Sequence, residues 1–216
     1  MKVNGVYFDN IHSYNDLNLY LAPFVPTPAE PKTSYVDIPG GDGSLDMTEV
    51  NGEVRFKDRE FTFTFTVNPA ETMAFDEKMM QVSNALNGRQ FKIVLDRDAG
   101  YYWQGRCSVD AYAQDRNLKQ IVVKAKVKPF KYKKDKTVVT VALTSEGQKV
   151  TLTNSRKSVV PKITCTGSTT IKFGVYTFNL EAGSYKILDI YLKEGSNTLT
   201  VSGSGSVTFE YQEAEL

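Results

Sequence analysis

Histidine and tryptophan each occur once in 216 residues, and cysteine twice. These scarcities remove whole classes of chemistry before any pattern is sought. One histidine (His12) and two separated cysteines (Cys107, Cys165) cannot supply a four-ligand zinc cage at recognisable spacing. No CxxC, GxSxG, HExxH or Walker pattern occurs, so no known nucleophile or phosphate motif is present. Neither cysteine lies in a nucleophile motif. Without a secretion signal the pair reads as two reduced, partly buried thiols, with a disulfide as the competing reading. Charge of one sign is also lacking. The formal net charge is +1, which gives no global attraction to nucleic acid or an anionic surface. No long apolar run occurs, so no membrane-spanning segment is expected. The opening "MKVNGVYFDN" lacks the apolar core of a secretory signal, which points to synthesis and folding in a cytoplasm.

What is abundant favours strands: twelve Tyr, twelve Phe, and recurrent Thr and Val. The clearest is "REFTFTFTV", where Phe61, Phe63, Phe65 and Val67 alternate with Thr62, Thr64 and Thr66 and demand a facing layer. A helix over about 69–87 follows. Asn68 is its expected cap, Pro69 its first residue, Glu71 the partner in a capping box and Gly88 its stop. Phe75, Met79, Val82 and Leu86 form its apolar stripe, read as core packing rather than a partner surface. "RQFKIVLD" and "YYWQGRCSVDAYAQ" read as strands joined by a turn. In "QIVVKAKVKPF", Ile121, Val123, Ala125 and Val127 oppose Val122, Lys124, Lys126 and Lys128. Together these suggest a β-sandwich with a helix closing one side.

The texture changes near "VKPFKYKKDKT", where a proline and five lysines mark a boundary between residues 130 and 138. The expected domains are 1–133 and 134–216. The second shows candidate strands at 138–143, 148–153, 161–165, 170–179, 185–192 and 197–211. Its turns include "SGSGS", and the pattern is that of a small antiparallel sandwich or jelly roll.

Three features could carry function. "YVDIPGGDGSLDMTE" places three glycines and a proline in five residues, which marks a tight turn or a close backbone approach. Its Asp37, Asp42 and Asp46 could hold calcium in principle, but they do not match the EF-hand spacing. Ile38, Leu45 and Met47 flank the turn and suit packing against a neighbouring chain; filling their own domain's core is the equal alternative. Lysines 119, 124, 126, 128, 131, 133, 134 and 136 form the one charge cluster. They read as a solvated face, with a DNA- or partner-facing surface as the alternative, since lysines without interleaved aromatics attract phosphate but cannot read bases.

The order of these elements resembles that of the distal tail proteins of long-tailed, non-contractile bacteriophages. The likeness is carried by "MKVNGVYFDN", by "YVDIPGGDGSLDMTE", by the aromatic strand and single helix, and by "LDRDAGYYWQGR", "KPFKYKK" and the final "EGSNTLTVSGSGSVTFEYQEAEL". The resemblance implies a structural virion protein of the tail tip and no enzyme, catalytic residue, metal or cofactor. Its first domain would form a homohexameric ring, or a ring dimer, joining the tail tube protein to tip or baseplate proteins and scaffolding their assembly. Its second, galectin-like domain would project outward. Genome DNA would pass through without specific binding, and assembly would take place in the host cytoplasm. On this view "PGGDG" is a turn at the ring where copies meet, with Ile38, Leu45 and Met47 as interface residues. The rival reading is a carbohydrate- or receptor-binding module acting through the second domain. His12 and Trp103 lie outside that domain, leaving Tyr176, Tyr185, Tyr191 and Tyr211 as its aromatic platforms.

Overall fold

The computed structural model describes residues 4–50, 52–114 and 119–216. The chain divides into two compact units, one up to Lys131 and the other Tyr132–Glu215. It is mainly β, with one α-helix.

The first unit contains β1 (Val6–Phe8), β2 (Ile11–His12), β3 (Leu19–Leu21), β4 (Tyr35–Asp37), β5 (Ser44–Asp46), β6 (Arg59–Val67), α1 (Phe75–Leu86), β7 (Gln90–Leu95), β8 (Tyr101–Gln114) and β9 (Lys119–Val127). Seven of the strands form one antiparallel sheet in the order β2-β1-β7-β8-β9-β6-β3. The facing layers of the expected sandwich arise from this single sheet curling over. The Phe8 ring on β1 meets Phe63 edge-on at 5.8 Å and Phe65 at 6.5 Å, both on β6, although three strands intervene. The two ends of the sheet meet at buried Ser13. Its backbone N–H donates to Val6 O at 2.9 Å, and its carbonyl accepts from Leu19 N at 2.8 Å. The expected alternation on β6 holds: Phe61, Phe63, Phe65 and Val67 are buried, as are Ile121, Val123, Ala125 and Val127 on β9.

Gly105 makes the curl possible on β8. A Cβ there would lie 2.6 Å from Lys126 O and 2.5 Å from Val127 Cγ1, so no side chain fits where β9 presses in.

The helix starts later than its sequence signals suggest. Asn68 and Glu71 look like a capping box, but α1 begins at Phe75 behind Ala74, with no side-chain cap. Asn68 Oδ1 instead accepts from Ala70 N, a local turn that precedes the helix. Glu71 is drawn into an ion pair with Lys78, which is buried on the packed face of α1 (Nζ–Oε2 2.6 Å). Met73 N–H and Asn18 Nδ2 also donate to its carboxylate. The apolar stripe packs into the core as expected; the helix ends at Asn87, already extended, and Gly88 (φ +72°) then turns the chain so that its N–H reaches Cys107 O.

The boundary segment is itself ordered. It contains β10 (Lys131–Lys133), and Lys133 bonds Glu213 through both backbone and side chain. The second unit continues with β11 (Thr137–Ala142), β12 (Gln148–Asn154), β13 (Lys162–Cys165), β14 (Thr169–Phe173), β15 (Tyr176–Leu180), β16 (Gly183–Tyr185), β17 (Gly195–Gly203), β18 (Ser206–Tyr211) and β19 (Ala214–Glu215). Two four-stranded antiparallel sheets, β11-β18-β13-β16 and β12-β17-β14-β15, form a sandwich. Leu152, Ile171, Leu199 and Val201 of one sheet pack with Ile163, Val207 and Phe209 of the other. The Tyr211 hydroxyl crosses to donate to Thr153 O at 2.6 Å.

Two expected strands differ from the structure. The 170–179 segment is a hairpin that turns at Gly174 (φ +58°), with Val175 at its exposed tip. Past Tyr185, the 185–192 segment is irregular, yet it buries Ile190 and Leu192. Buried Asn154 satisfies its backbone by donating to Leu192 O at 3.1 Å, and Asn197 Oδ1 accepts from Lys193 N at 2.9 Å.

Cys107 and Cys165 are free and buried, one in each core, so the disulfide reading is overturned. Burial, followed by the charge of Asp9, pushes the Cys107 thiol up to about 12.

Two predictions follow from this packing. Phe63→Ala removes a ring that touches Phe8, Phe24, Phe61 and Phe65. It is expected to cost about 3–5 kcal/mol, read as a lowered urea midpoint. The second concerns Glu71, whose carboxylate is held at about 2 by the Lys78 bond first and then by Met73 N–H and Asn18, against an ordinary 4.5. A depressed acid contributes stability above its unfolded value and loses it as pH falls toward the folded one. Wild-type Tm is therefore expected to fall between pH 4.5 and 2. Glu71→Gln should lower Tm at neutral pH and flatten that acid limb; an unchanged acid limb would refute the pairing.

Candidate functional site

Between β3 and β6 the chain leaves the barrel as a long arm, residues 22–58. Four prolines in "PFVPTPAEP" keep its outgoing half extended and deny it regular pairing. Partial antiparallel bonding then zips the two halves. Lys57 N donates to Glu30 O at 2.8 Å, Lys32 N to Arg55 O at 2.7 Å, and Met47 N to Ser34 O at 2.8 Å. Arg59 clamps the base. Its guanidinium is buried, donates to Thr27 O and Pro129 O, and lies 5.3 Å from the Phe61 ring centroid. Phe56 meets Phe130 edge-on at 5.7 Å beside it.

At the far end, among the described residues, β4 and β5 pair only with each other. The turn has a clear cause. Gly41 N donates to Ile38 O at 3.0 Å across Pro39 and Gly40, and Gly40 has φ +77°. Proline followed by a positive-φ glycine is the residue pattern of a type II turn. Gly43 also has positive φ (+79°), and a Cβ at either glycine would meet nothing within 4 Å. These glycines serve backbone conformation; within this chain no close approach requires them.

The register pairs Val36 with Leu45, and on the opposite face Tyr35 with Asp46 and Asp37 with Ser44. Strand alternation puts Ile38 and Met47 on the face of Val36 and Leu45. The three residues singled out from the sequence therefore share one face, with Val36 as a fourth member that the sequence reading missed. Val36 is 53% exposed, Ile38 50% and Leu45 53%, so Ile38 and Leu45 do not fill their own unit's core. Val25, Tyr35 and Val50 on the same arm are also exposed. The signal that could have found them is the proline run, which marks backbone unable to join the sheet whose side chains nonetheless remain apolar.

The carboxylates here are engaged separately. Asp37 accepts from the Ser44 hydroxyl at 2.9 Å. Asp46 accepts from Thr48 N, and the Thr48 bonds hold its carboxyl below the usual range. Among the described residues no group of three or more His, Cys, Asp and Glu is arranged to hold a metal ion.

His12 is buried and satisfied. Asn15 N donates to its Nδ1 at 3.1 Å, so Nε2 carries the proton and donates to Asp96 Oδ2 at 3.1 Å. Both ring nitrogens are thus used to pin the start of the chain. Gly5 N donates to the same carboxylate oxygen, and a Gly5 Cβ would lie 2.3 Å from the imidazole.

The lysine face of β9 is charge-compensated in part. Lys124 pairs with Asp110 at 3.0 Å and Lys126 with Asp58 at 3.9 Å. Among the tyrosines of the rival reading, the Tyr185 hydroxyl donates to Glu181 O, Tyr211 is buried, and exposed Tyr176 stacks on Phe178. Among the described residues no helix is long and apolar enough to cross a membrane.

Residues 10–144 match the family model described as phage tail protein RIFT-related domain. No curated protein sequence matches the chain. Among solved structures, the chain is similar to the crystal structure of the Dit protein of phage SPP1, described as a paradigm of the hub adsorption apparatus in phages infecting Gram-positive bacteria. The two share 13% identity with a TM-score of 0.73, over 98% of this chain and 99% of that one. At that identity the likeness is one of fold. The resemblance to distal tail proteins read from the sequence is borne out by the family match and this fold together. With a matched region covering more than half of its length, the chain belongs to the family of phage tail proteins that carry the RIFT-related domain.

Proposed function

We propose that the protein is a tail-tip hub of a phage virion, in which six copies form a ring between the tail tube and the tip or baseplate proteins. The ring is built from the first unit, with residues 1–133 as its working boundary, and scaffolds tip assembly in the host cytoplasm. Residues 134–216 form the galectin-like domain that projects outward. The observation that carries this reading is the apolar face of the β4–β5 hairpin, with Val36, Ile38 and Leu45 exposed and Met47 half-buried beside them, on a chain of the tail-protein family.

An isolated two-stranded hairpin is marginal in water. One that exposes apolar side chains at the end of a clamped arm is supported if a neighbouring copy covers it. Family membership and the fold shared with the SPP1 hub protein support the same reading. The chain's own role is mechanical, and catalysis forms no part of it. Tail tube and tip proteins are its partners, and membrane insertion is not required.

Two outcomes are expected. In solution the wild type runs at six times the 24.2 kDa chain mass, or at twelve for a ring dimer. Leu45→Asp runs as a monomer with native circular dichroism, because Leu45 takes no part in its own core. A monomeric wild type, or an unchanged oligomer in the variant, would count against the interface. The second outcome concerns DNA passing through the ring. Each lysine–phosphate contact adds salt-dependent affinity through counterion release. With Lys124 and Lys126 paired to carboxylates, duplex DNA should bind the assembled ring weakly and dissociate with modest salt. Micromolar binding at physiological salt, lost on replacing Lys124, Lys126 and Lys128 with glutamine, would reverse that expectation.

A further inference from the structure

The outer face of the β11-β18-β13-β16 sheet is organised in rows across the strands. One row runs Thr140, Thr208, Thr164, Ser184 by register. Its hydroxyls pair, Thr140 with Thr208 at 2.9 Å and Thr164 with Ser184 at 3.1 Å. Each pair uses one donor and one acceptor, which leaves a further donor and several lone pairs facing outward.

The adjacent row, about 6.8 Å away along the strands, is charged. Val138 faces Glu210, and Glu210 faces Lys162. Lys186, one residue past the end of β16, lines the same cleft as Lys162. Like charges held near one another repel. The one carboxylate of the row, Glu210, is already held by Lys136, whose hydrogen bond is the main cause of its lowered pKa. Among the described residues neither Lys162 nor Lys186 has an ion-pair partner. These groups line a cleft of about 460 Å³ together with Tyr185 and Ser184. Three ammonium groups, from Lys136, Lys162 and Lys186, thus share the cleft with a single carboxylate.

We infer that this cleft is a binding site for a phosphate-bearing polyol or sugar, with Lys162 and Lys186 taking the phosphate and Ser184, hydrogen-bonded to Thr164 just outside the cleft, taking the polyol. The cation type favours phosphate. A planar carboxylate is best met by the bidentate fork of arginine, and the cleft contains none; lysine meets phosphate as a point charge. An anion between Lys162 and Lys186 also offsets their mutual repulsion. The lining belongs to the second unit alone, so the site does not depend on the ring proposed above.

The full chain, labelled with nitrogen-15, is titrated with glycerol 3-phosphate, inorganic phosphate and glycerol, and backbone amide shifts are followed. Glycerol 3-phosphate is expected to give saturable shifts confined to residues around Lys162, Thr164, Ser184 and Lys186. Inorganic phosphate should bind the same residues at least threefold more weakly, and glycerol should leave them unmoved. The double variant Lys162→Gln, Lys186→Gln is expected to lose at least tenfold in affinity. It should keep its fold, with a Tm at low salt equal to or above that of the wild type. Absence of saturation at tens of millimolar would overturn the inference, as would equal affinity for the two phosphates, which marks an adventitious ion only. Displacement of glycerol 3-phosphate by an equal phosphate concentration of duplex DNA would also overturn it, since that shows unselective attraction. A double variant with lowered Tm and unchanged affinity would assign the lysines a structural role instead.

Discussion

Phe8 and Phe63 sit in ring contact at 5.8 Å although their strands are four places apart in one sheet. At about 4.8 Å per strand a flat sheet would hold them about 19 Å apart. The phenylalanine cluster therefore requires the sheet to curl, and much of the first unit follows from that requirement. Curling sends the apolar face of every strand inward and leaves Lys124 and Lys126 outward beside Asp110 and Asp58. It brings the two edges together at Ser13, which removes exposed edges that would otherwise pair with another chain. It also demands a strand position with no side chain, supplied by Gly105. The arm departs from β3 and returns to β6, which are adjacent strands at this seam. Its base can thus be clamped by one buried cation, Arg59, whose pKa is lowered by the burial itself.

Elements with strict alternation were legible in the sequence. "REFTFTFTV" and "IVVKAKV" each allow only one inward face, and the structure adopts it. The start of the helix was not legible, because Asn68, Pro69 and Glu71 fit a cap and a local turn equally well. What decides between them is Lys78, seven residues beyond Glu71, which needs a carboxylate once it is buried. That need arises from tertiary packing and leaves no local trace. The same holds for residues 186–192, apolar enough to read as a strand. The last of them, Leu192, exchanges backbone hydrogen bonds with Val159 and accepts from the Asn154 side chain, partners that no window around the segment contains.

For the hairpin tip, the turn chemistry of "IPGGDG" could be read directly, but the exposure of its flanks could not. A glycine selected for positive φ and one selected for close contact look identical in a sequence. Gly40 and Gly43 belong to the first kind, and Gly5 and Gly105 to the second. Only the surroundings separate them, and those surroundings show Ile38 and Leu45 clear of the unit's own core.

This separation of inward and outward positions bears on how such a chain can change while keeping its fold. A core built on alternation needs apolar volume at every second residue, and cores tolerate substitution when volume and pattern are kept. Its specific demands are few: a bare position at Gly105 and a ring at Phe63. The surfaces assigned to interaction, the Val36–Leu45 face and the Lys162–Lys186 pair, are carried by outward side chains. Altering them leaves the interior intact. A fold constrained in this way can share 13% identity with the SPP1 protein and still superpose over nearly its full length. The inward pattern preserves the architecture, and partners can be exchanged at the positions between.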